Sequence, residues 1–535
     1  MRDGVRLAAD IYLPKAAGPH PVVVVRTPYL RTAAELAQSG AFWAESGYAM
    51  VAVDVRGRGD SEGVFQPYRT EGEDGYDTIE WCAAQPFSNG QVGTLGASYS
   101  GKIQWQAALC QPPHLKAMIS VVPPSDAHVE SPTGAPSPMG LCWVHLVSGR
   151  LTQNLELVDW QKVYQHLPLV SMDQELGSVN PLWQASCAPG DPGPSASDYQ
   201  RRMDELDLPV LHVPGWYDDE QIGTPLNYRL MRTRAASERA RANQRLLMGP
   251  WGHRVNQRYL GEHDFGAEAV IDLDGTMRAF FDHHLKGAPT DGWQGPVRIF
   301  VIGQGWRQLS DWPPAGVEPR PLYLSSRGGA VSRLGGGRLS AELPAGPGLD
   351  RYISDPLDPV PFLTEALSHQ IGGADDYAEV ERRQDLLVYT SPPLTAPLEV
   401  VGPVQAVVYV ETAAQDLDVM AKLLDVFPDG RAERVVDGMV RCRFRAGMGP
   451  PVPVPANQAM ELTIDLWNVG RSFAAGHAVR LEIASSAFPK YPRNLQTGGD
   501  LCREEAGDAV SAEVRVHHGP GHPSRLVLPV ASGRL

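Results

Sequence analysis

Apolar positions in the first half of the chain follow two periods in alternation. Val5 to Leu13 reads as a strand ending at Pro14, and Pro21-Val-Val-Val-Val-Arg26 is an unbroken β-branched run, the pattern of a strand covered on both faces in a parallel sheet. Thr32 to Ser46 carries Ala, Leu, Phe and Trp at spacings of three and four and stops at Gly47, after which Tyr48 to Val55 is again a short buried strand. Strand, helix and strand in that order predict a right-handed crossover between parallel neighbours. The rhythm continues with a helix over Glu71 to Gln85, a strand over Val92 to Leu95, a helix from about Tyr99 to Cys110 and a strand over Lys116 to Val122.

Beyond Pro123-Pro124 the rhythm breaks into long, weakly periodic stretches with a Pro/Gly/Ser-rich piece at Ala188 to Ser197. It resumes with a strand at Pro209 to Pro214, a helix at Ile222 to Ala236, a strand at Arg245 to Gly249 and a helix at Ile271 to Leu285. From Val297 onward helical periodicity nearly vanishes. Short apolar runs recur between turn residues, at Arg298 to Ile302, Pro321 to Leu324, Glu399 to Val410, Val419 to Val426, Val435 to Phe444, Glu461 to Trp467, Val479 to Ile483 and Arg525 to Val530. Strands without intervening helices predict a sandwich or jelly roll. The expected organisation is an α/β domain in two parts, residues 1–125 and 207–294, interrupted by a helical cap over 126–206 and followed by a jelly-roll β-sandwich over 295–535.

With 535 residues and 43% hydrophobic content the chain can bury more than one core. A net charge of -15 and no basic run make a nucleic-acid partner unfavourable. The six cysteines form no C-x-x-C pair and are expected to be buried free thiols. No apolar run approaches a membrane span, and Met1-Arg-Asp-Gly-Val-Arg-Leu lacks the order of a signal peptide. The expectation is a cytoplasmic enzyme acting on a small molecule, with no nucleic acid, no membrane and a homodimer left open.

Candidate chemistry centres on Gly96-Ala-Ser-Tyr-Ser-Gly101. A strand that turns sharply into a helix with an exposed serine at its tip needs small neighbours, and Gly96, Ala97 and Gly101 supply them. Alone the motif is ambiguous, because small-residue turns with a serine recur in α/β proteins without any chemistry. Its meaning comes from two other strand ends, Gly215-Trp-Tyr-Asp218 and Pro250-Trp-Gly-His253. Ser98, Asp218 and His253 follow the chain order of α/β-hydrolase triads, with histidine as base and aspartate as its orienter.

These motifs, with Arg26-Thr-Pro-Tyr29, Asp54-Val-Arg-Gly57, Ser61-Glu-Gly63, Asp425-Val-Phe-Pro-Asp-Gly430 and Ser486-Ala-Phe-Pro-Lys-Tyr491, resemble the cocaine esterase and X-prolyl dipeptidyl-peptidase superfamily of serine hydrolases over nearly the whole chain. The resemblance implies an α/β-hydrolase domain, a helical cap and a C-terminal jelly roll. It also implies an oxyanion hole from the Tyr29 hydroxyl and the Tyr99 backbone N–H, and hydrolysis of an ester or amide through an acyl-enzyme on Ser98 with no cofactor and no metal. After the aspartate this chain has Asp219-Glu220. The related α-amino acid ester hydrolases carry acids in this loop that bind a substrate ammonium. Glu220 matches the first of them, the next position is Gln221, and Glu130 and Asp126 are candidates for a further member. Solvated loop acids are the plainer reading of Asp219 and Glu220. Trp143 and Trp160 are candidates either for the pocket wall or for the cap core. Acyl transfer, X-prolyl dipeptidyl aminopeptidase activity and, outside enzymes, a carbohydrate-binding module are the alternatives.

Overall fold

The computed structural model describes residues 1–130, 132–188, 198–364 and 372–533. Among them, strands β1 (Ala9–Tyr12), β2 (His20–Thr27), β3 (Ala49–Asp54), β4 (Ser88–Ala97), β5 (Leu115–Val121), β6 (Val210–Val213), β7 (Gln244–Met248), β8 (Val297–Val301) and β9 (Gly305–Leu309) form one sheet in the order β1-β3-β2-β4-β5-β6-β7-β8-β9. Every pairing from β3 through β8 is parallel, and β1 and β9 close the edges antiparallel. Helices α1 (Ala34–Glu45) and α5 (Leu273–Lys286) cover one face, and α2 (Glu71–Ala83), α3 (Tyr99–Leu109) and α4 (Gly223–Arg234) cover the other. The β2 run needs both layers. Val22 and Val24 share a core with Ile79 and Trp105, while Val23 and Val25 share one with Trp43 and Phe281. Gly93 in β4 brings α5 close, since a Cβ there would lie 2.9 Å from both Phe281 and Leu285.

The run at 298–302, expected to open the sandwich, is instead β8 of this sheet, with Val297 beside Leu246 and Ile299 beside Met248. The physical reason lies in its burial. Val297, Ile299, Phe300 and Val301 are all buried, which suits a strand covered on both faces and reached through the α5 crossover rather than a sandwich strand with one wet face.

Residues between β5 and β6 form short helices at Gly140–Leu146, Trp160–Tyr164 and Pro181–Ser186 with 3-10 turns at Leu169–Leu176 and Asp198–Glu205. Their core joins Leu141, Val144, Trp160, Tyr164 and Trp183 to Phe488 and Cys502 of the second half, so the cap is too small to bury its apolar face alone. The Pro/Gly/Ser-rich piece lies outside the described residues beyond position 188.

The second half is β-rich. Strands β10 (Glu318–Ser325), β11 (Arg338–Ser340), β12 (Gly348–Ser354), β13 (Leu386–Thr390), β14 (Leu398–Thr412), β15 (Asp418–Val426), β16 (Ala432–Arg441), β17 (Met460–Phe473), β18 (Ala478–Ala484), β19 (Ala512–His518) and β20 (Arg525–Ser532) follow the path β12-β19-β14-β20-β10-β11-β13-β18-β15-β16, with β17 on β14. They enclose an apolar core that includes Val408, Ile464, Leu481 and Leu526. This domain is joined to the hydrolase sheet by main-chain bonds, Ile302 N–H to Gly470 O at 2.8 Å and Ser472 N–H to Ile302 O at 2.9 Å. No helix among the described residues is long and apolar enough to cross a membrane.

Phe281 lies between α5 and the sheet, 5.5 Å from the Trp43 ring. Phe281→Ala is expected to destabilise the fold by about 3–5 kcal/mol through the cavity it leaves, read as a lower urea midpoint.

Candidate active site

Between β4 and α3 the backbone of Ser98 has φ 57° and ψ -128°, a region costly for any residue with a Cβ. Three main-chain bonds hold it there: Ser98 N–H donates to Val121 O at 3.0 Å, and the N–H groups of Gly101 and Lys102 donate to Ser98 O at 2.8 and 3.0 Å. The small neighbours have steric reasons. A Cβ on Gly96 would sit 2.4 Å from Ser100 O, and one on Gly101 would sit 2.8 Å from Val121 O. The turn places Ser98 on a cavity of about 1620 Å³ at the C-terminal edge of the sheet, which Tyr29, Trp143, Asp219, Glu220 and His253 also line.

The loops after β6 and β7 are zipped together. Gly215 bridges Gly249, Trp216 N–H donates to Gly249 O at 3.0 Å and Tyr217 N–H to Trp251 O at 2.9 Å. Side chains would block this contact, since a Cβ on Gly215 would meet Trp251 O at 2.1 Å. The zipper sets buried Asp218 against His253, whose Nδ1 is 2.8 Å from Asp218 Oδ1. A carboxylate in this position selects the Nδ1–H tautomer and leaves Nε2 as a base. The β6 loop is braced from β8 of its own sheet and from the β-rich domain. Trp216 Nε1–H donates to Phe300 O at 2.6 Å and Gln221 Nε2–H to Asn468 O at 2.7 Å.

Tyr29 follows β2 and Pro28, and its N–H donates to Thr27 Oγ1 at 3.0 Å. Its hydroxyl accepts from Trp143 Nε1–H at 2.9 Å, and Tyr29 lines the same cavity as Ser98. Burial pushes the phenol up to about 12, against the pull of the Trp143 and Ser98 bonds, so it stays a neutral donor. The Tyr99 N–H is the first of α3 and has no partner within the helix. The Tyr99 ring is buried, with its hydroxyl donating to Glu71 Oε1 at 2.7 Å.

A serine on a strained strand-to-helix turn, a histidine oriented by a buried aspartate, and two donors nearby are the parts of an acyl-transfer site. Comparison with known proteins agrees. Residues 3–255 match the X-Pro dipeptidyl-peptidase (S15 family) and residues 292–527 the X-Pro dipeptidyl-peptidase C-terminal non-catalytic domain. The chain is 36% identical over 564 residues to the cocaine esterase of Rhodococcus sp. (strain MB1 Bresler), covering 99% of this chain and 97% of that protein. The chain belongs to the S15 family. This S15 protein is a serine-type hydrolase, and its fold is that of the α/β-hydrolases with a C-terminal β-rich domain. Among solved structures it resembles an aminopeptidase from a marine sediment archaeon of the Thaumarchaeota, with TM-score 0.86, 26% identity and coverage of 99% and 95% of the two chains. It also resembles an α-amino acid ester hydrolase, with TM-score 0.83, 28% identity and the same coverage.

In this S15 hydrolase the loop acids are not ordinary solvated side chains. Asp219 Oδ1 and Glu220 Oε2 lie 3.6 and 3.9 Å from His253 Nδ1, and Asp126 and Glu130 line the same cavity. Burial raises Glu130 to about 7 against the attraction of Lys102. Burial also raises Asp219 to about 6, the charge of Asp218 adding to it and that of His253 opposing it. Glu220 is pushed well above the usual carboxylate range by burial and by repulsion from Glu130 and Asp219. For His253 burial acts downward, but the Asp218 bond and the charges of Asp218, Asp219 and Glu130 outweigh it and hold the ring at about 9.

Trp143 lines the cavity, whereas Trp160 is fully buried in the cap core with Nε1–H on Leu155 O at 3.0 Å. Of the two readings open for Trp160, the pocket-wall one is therefore corrected to the cap core: its ring packs at 5.8 Å from that of Tyr164 and 5.9 Å from that of His145, in a cluster that also holds Trp183. Two charged residues escaped the sequence reading. Lys102 is buried on α3, its Nζ donating to Ser125 O at 2.7 Å and lying 4.7 Å from the Tyr68 ring. Lys490 of the β-rich domain reaches the cavity and pairs with Asp437. Lys102 had a usable signal, since position i+4 from the serine lies on the same face of the helix. Lys490 had none beyond its motif. Asp218, Asp219 and His253 are also the set among the described residues whose ligand atoms lie close enough for a metal ion, but Nδ1 of the histidine is already taken by Asp218.

The anions around His253 favour its imidazolium, so activity on a neutral ester should fall as pH drops through the histidine's raised value. Asp219→Asn removes one of them and is expected to move the acid limb of kcat/KM toward lower pH, as a pH–rate profile would measure.

Proposed function

We propose that this protein hydrolyses carboxylic esters or amides whose acyl part carries an amine close to the scissile carbonyl. The observation that carries the reading is the convergence of Glu130, Asp219 and Glu220 on the cavity that holds Ser98 and His253. Half-buried acids that raise one another's pKa values are relieved when a cation binds among them. An ammonium beside the carbonyl is such a cation. The likeness to an enzyme named for α-amino acid esters and to an aminopeptidase supports the same reading.

The chemistry uses this chain's own groups. His253 Nε2 takes the Ser98 proton as Oγ bonds to the acyl carbon, and Tyr29 O–H with Tyr99 N–H receives the oxyanion, which also sits at the positive end of α3. The tetrahedral species expels the alcohol or amine with the proton from His253. Water then repeats the sequence on the acyl-enzyme and releases the acid. A second reading, hydrolysis of neutral esters, draws on Lys102, which already sets one positive charge beside Glu130, Asp126 and Glu220. The six cysteines are free thiols, which supports a reducing, cytoplasmic setting for either version.

Ser98→Ala is expected to abolish fluorophosphonate labelling and to lower kcat by at least about 10³-fold, measured on p-nitrophenyl esters. Glu220→Gln should lower kcat/KM for aminoacyl p-nitroanilides by about tenfold or more, the size of a charge-assisted contact, while neutral esters change little. An equal change on both substrate classes would favour the second reading.

A further inference from the structure

Trp143 sits on the cap helix Gly140–Leu146, and its side chain touches both residues assigned to the oxyanion, Tyr29 and Tyr99. Its Nε1–H donates to Tyr29 Oη at 2.9 Å. Its indole is stacked on the Tyr99 ring at 5.8 Å with 21° between the planes, and on the Tyr68 ring at 6.4 Å with 15°. Tyr99 is the residue whose backbone N–H starts α3. The helix is locked to the Tyr29 loop by buried Arg58, which donates from Nε to Pro28 O at 2.8 Å and from Nη1 to Val147 O at 2.8 Å and to Gly149 O. Arg150 ties the following turn to Gly59 O at 3.0 Å. A side chain present only to give the pocket an apolar wall needs none of this fixing.

The hydrogen-bond chemistry gives the arrangement a direction. An indole N–H can donate but cannot accept, and a neutral phenol has one proton to give. When Trp143 donates to Oη, the Tyr29 proton has to go elsewhere, and the hydroxyl faces the cavity that Ser98 also lines. A phenol that accepts one hydrogen bond is also polarised into a stronger donor for the next.

We infer that Trp143 is a positioning residue of the oxyanion hole: by donating its indole N–H to Tyr29 it aims the single phenolic proton at the oxygen that becomes charged. The inference rests on the proposed role of Tyr29 as an oxyanion donor. It makes the cap part of transition-state stabilisation as well as a wall, because the donor that sets the hydroxyl comes from the cap helix.

The test is a double-mutant cycle on a neutral p-nitrophenyl ester, with kcat and KM measured separately and fluorophosphonate labelling of Ser98 confirming an intact nucleophile. Tyr29→Phe should lower kcat by about 10²-fold, as loss of one oxyanion donor does, and Trp143→Phe by about tenfold with KM nearly unchanged, the size of a lost neutral hydrogen bond. In the Tyr29→Phe background Trp143→Phe should cost nothing further. If the two losses multiply, Trp143 acts through packing or substrate contact and the inference is overturned, while the oxyanion role of Tyr29 stands. If Tyr29→Phe leaves kcat unchanged, the oxyanion role itself fails and the inference falls with it. Replacing the indole of Trp143 by a benzothiophene, which keeps the bicyclic shape without the N–H, repeats the cycle should the phenylalanine variant misfold. A kcat equal to that of the unaltered enzyme in that variant also overturns the inference.

Discussion

A serine held at positive φ between a parallel strand and a helix would relax if left alone, and much of the site serves to keep Ser98 from doing so. The restraint comes from β5 on one side, through the Val121 carbonyl, and from the first turn of α3 on the other. It works only because Gly96 and Gly101 leave room for that carbonyl and for Ser100 to approach. The same turn that exposes the hydroxyl brings the Tyr99 N–H to the start of the helix, so on the proposed reading nucleophile and one oxyanion donor are consecutive residues of one strained unit. Around it, the cap supplies Trp143, the β2 end supplies Tyr29 and the zipped loops after β6 and β7 supply Asp218 and His253.

The second organising feature is charge. Asp219, Glu220 and Glu130 share a half-buried space with His253: Glu130 and Asp219 raise the proton affinity of Glu220 and of His253, Asp219 raises that of Glu130, and His253 lowers that of Asp219. Lys102 and the N-terminus of α3 offset part of this negative potential from beneath the serine. On the proposed reading a substrate ammonium completes the balance. It would also withdraw the anions' hold on His253 and leave the imidazole free to act as base, so that binding the correct substrate prepares the catalytic group. The β-rich domain takes part through Gln221 and Asn468, which fix the loop that carries the acids, and through Lys490 at the cavity wall.

Much of this was legible in the chain itself because the periodicities are strong. The β2 valines demand cover on both faces, and the helices at Thr32 to Ser46 and Ile271 to Leu285 supply one of the two layers. The strand ends bearing Asp218 and His253 could be located by their Gly-Trp and Trp-Gly turns. The run at 298–302 was misplaced because a short apolar strand has the same pattern in a sandwich and at the edge of a parallel sheet, and only pairing with β7 distinguishes them. Trp160 was assigned to the pocket as well as to the core because composition cannot say which tryptophan of a small helical cap faces inward.

The sequence by itself determined the parallel sheet, the turn at Ser98 and the order in which Ser98, Asp218 and His253 follow one another at strand ends, all of which follow from local periodicity, small-residue placement and chain order. Tertiary structure alone decided which charges meet. Glu130 and Glu220 are 90 positions apart in number, Lys490 and Trp143 reach the cavity from separate elements, and Lys102 lies buried on α3. Electrostatic coupling and hydrogen-bond direction depend on distance and burial in space, and separation along the chain carries neither.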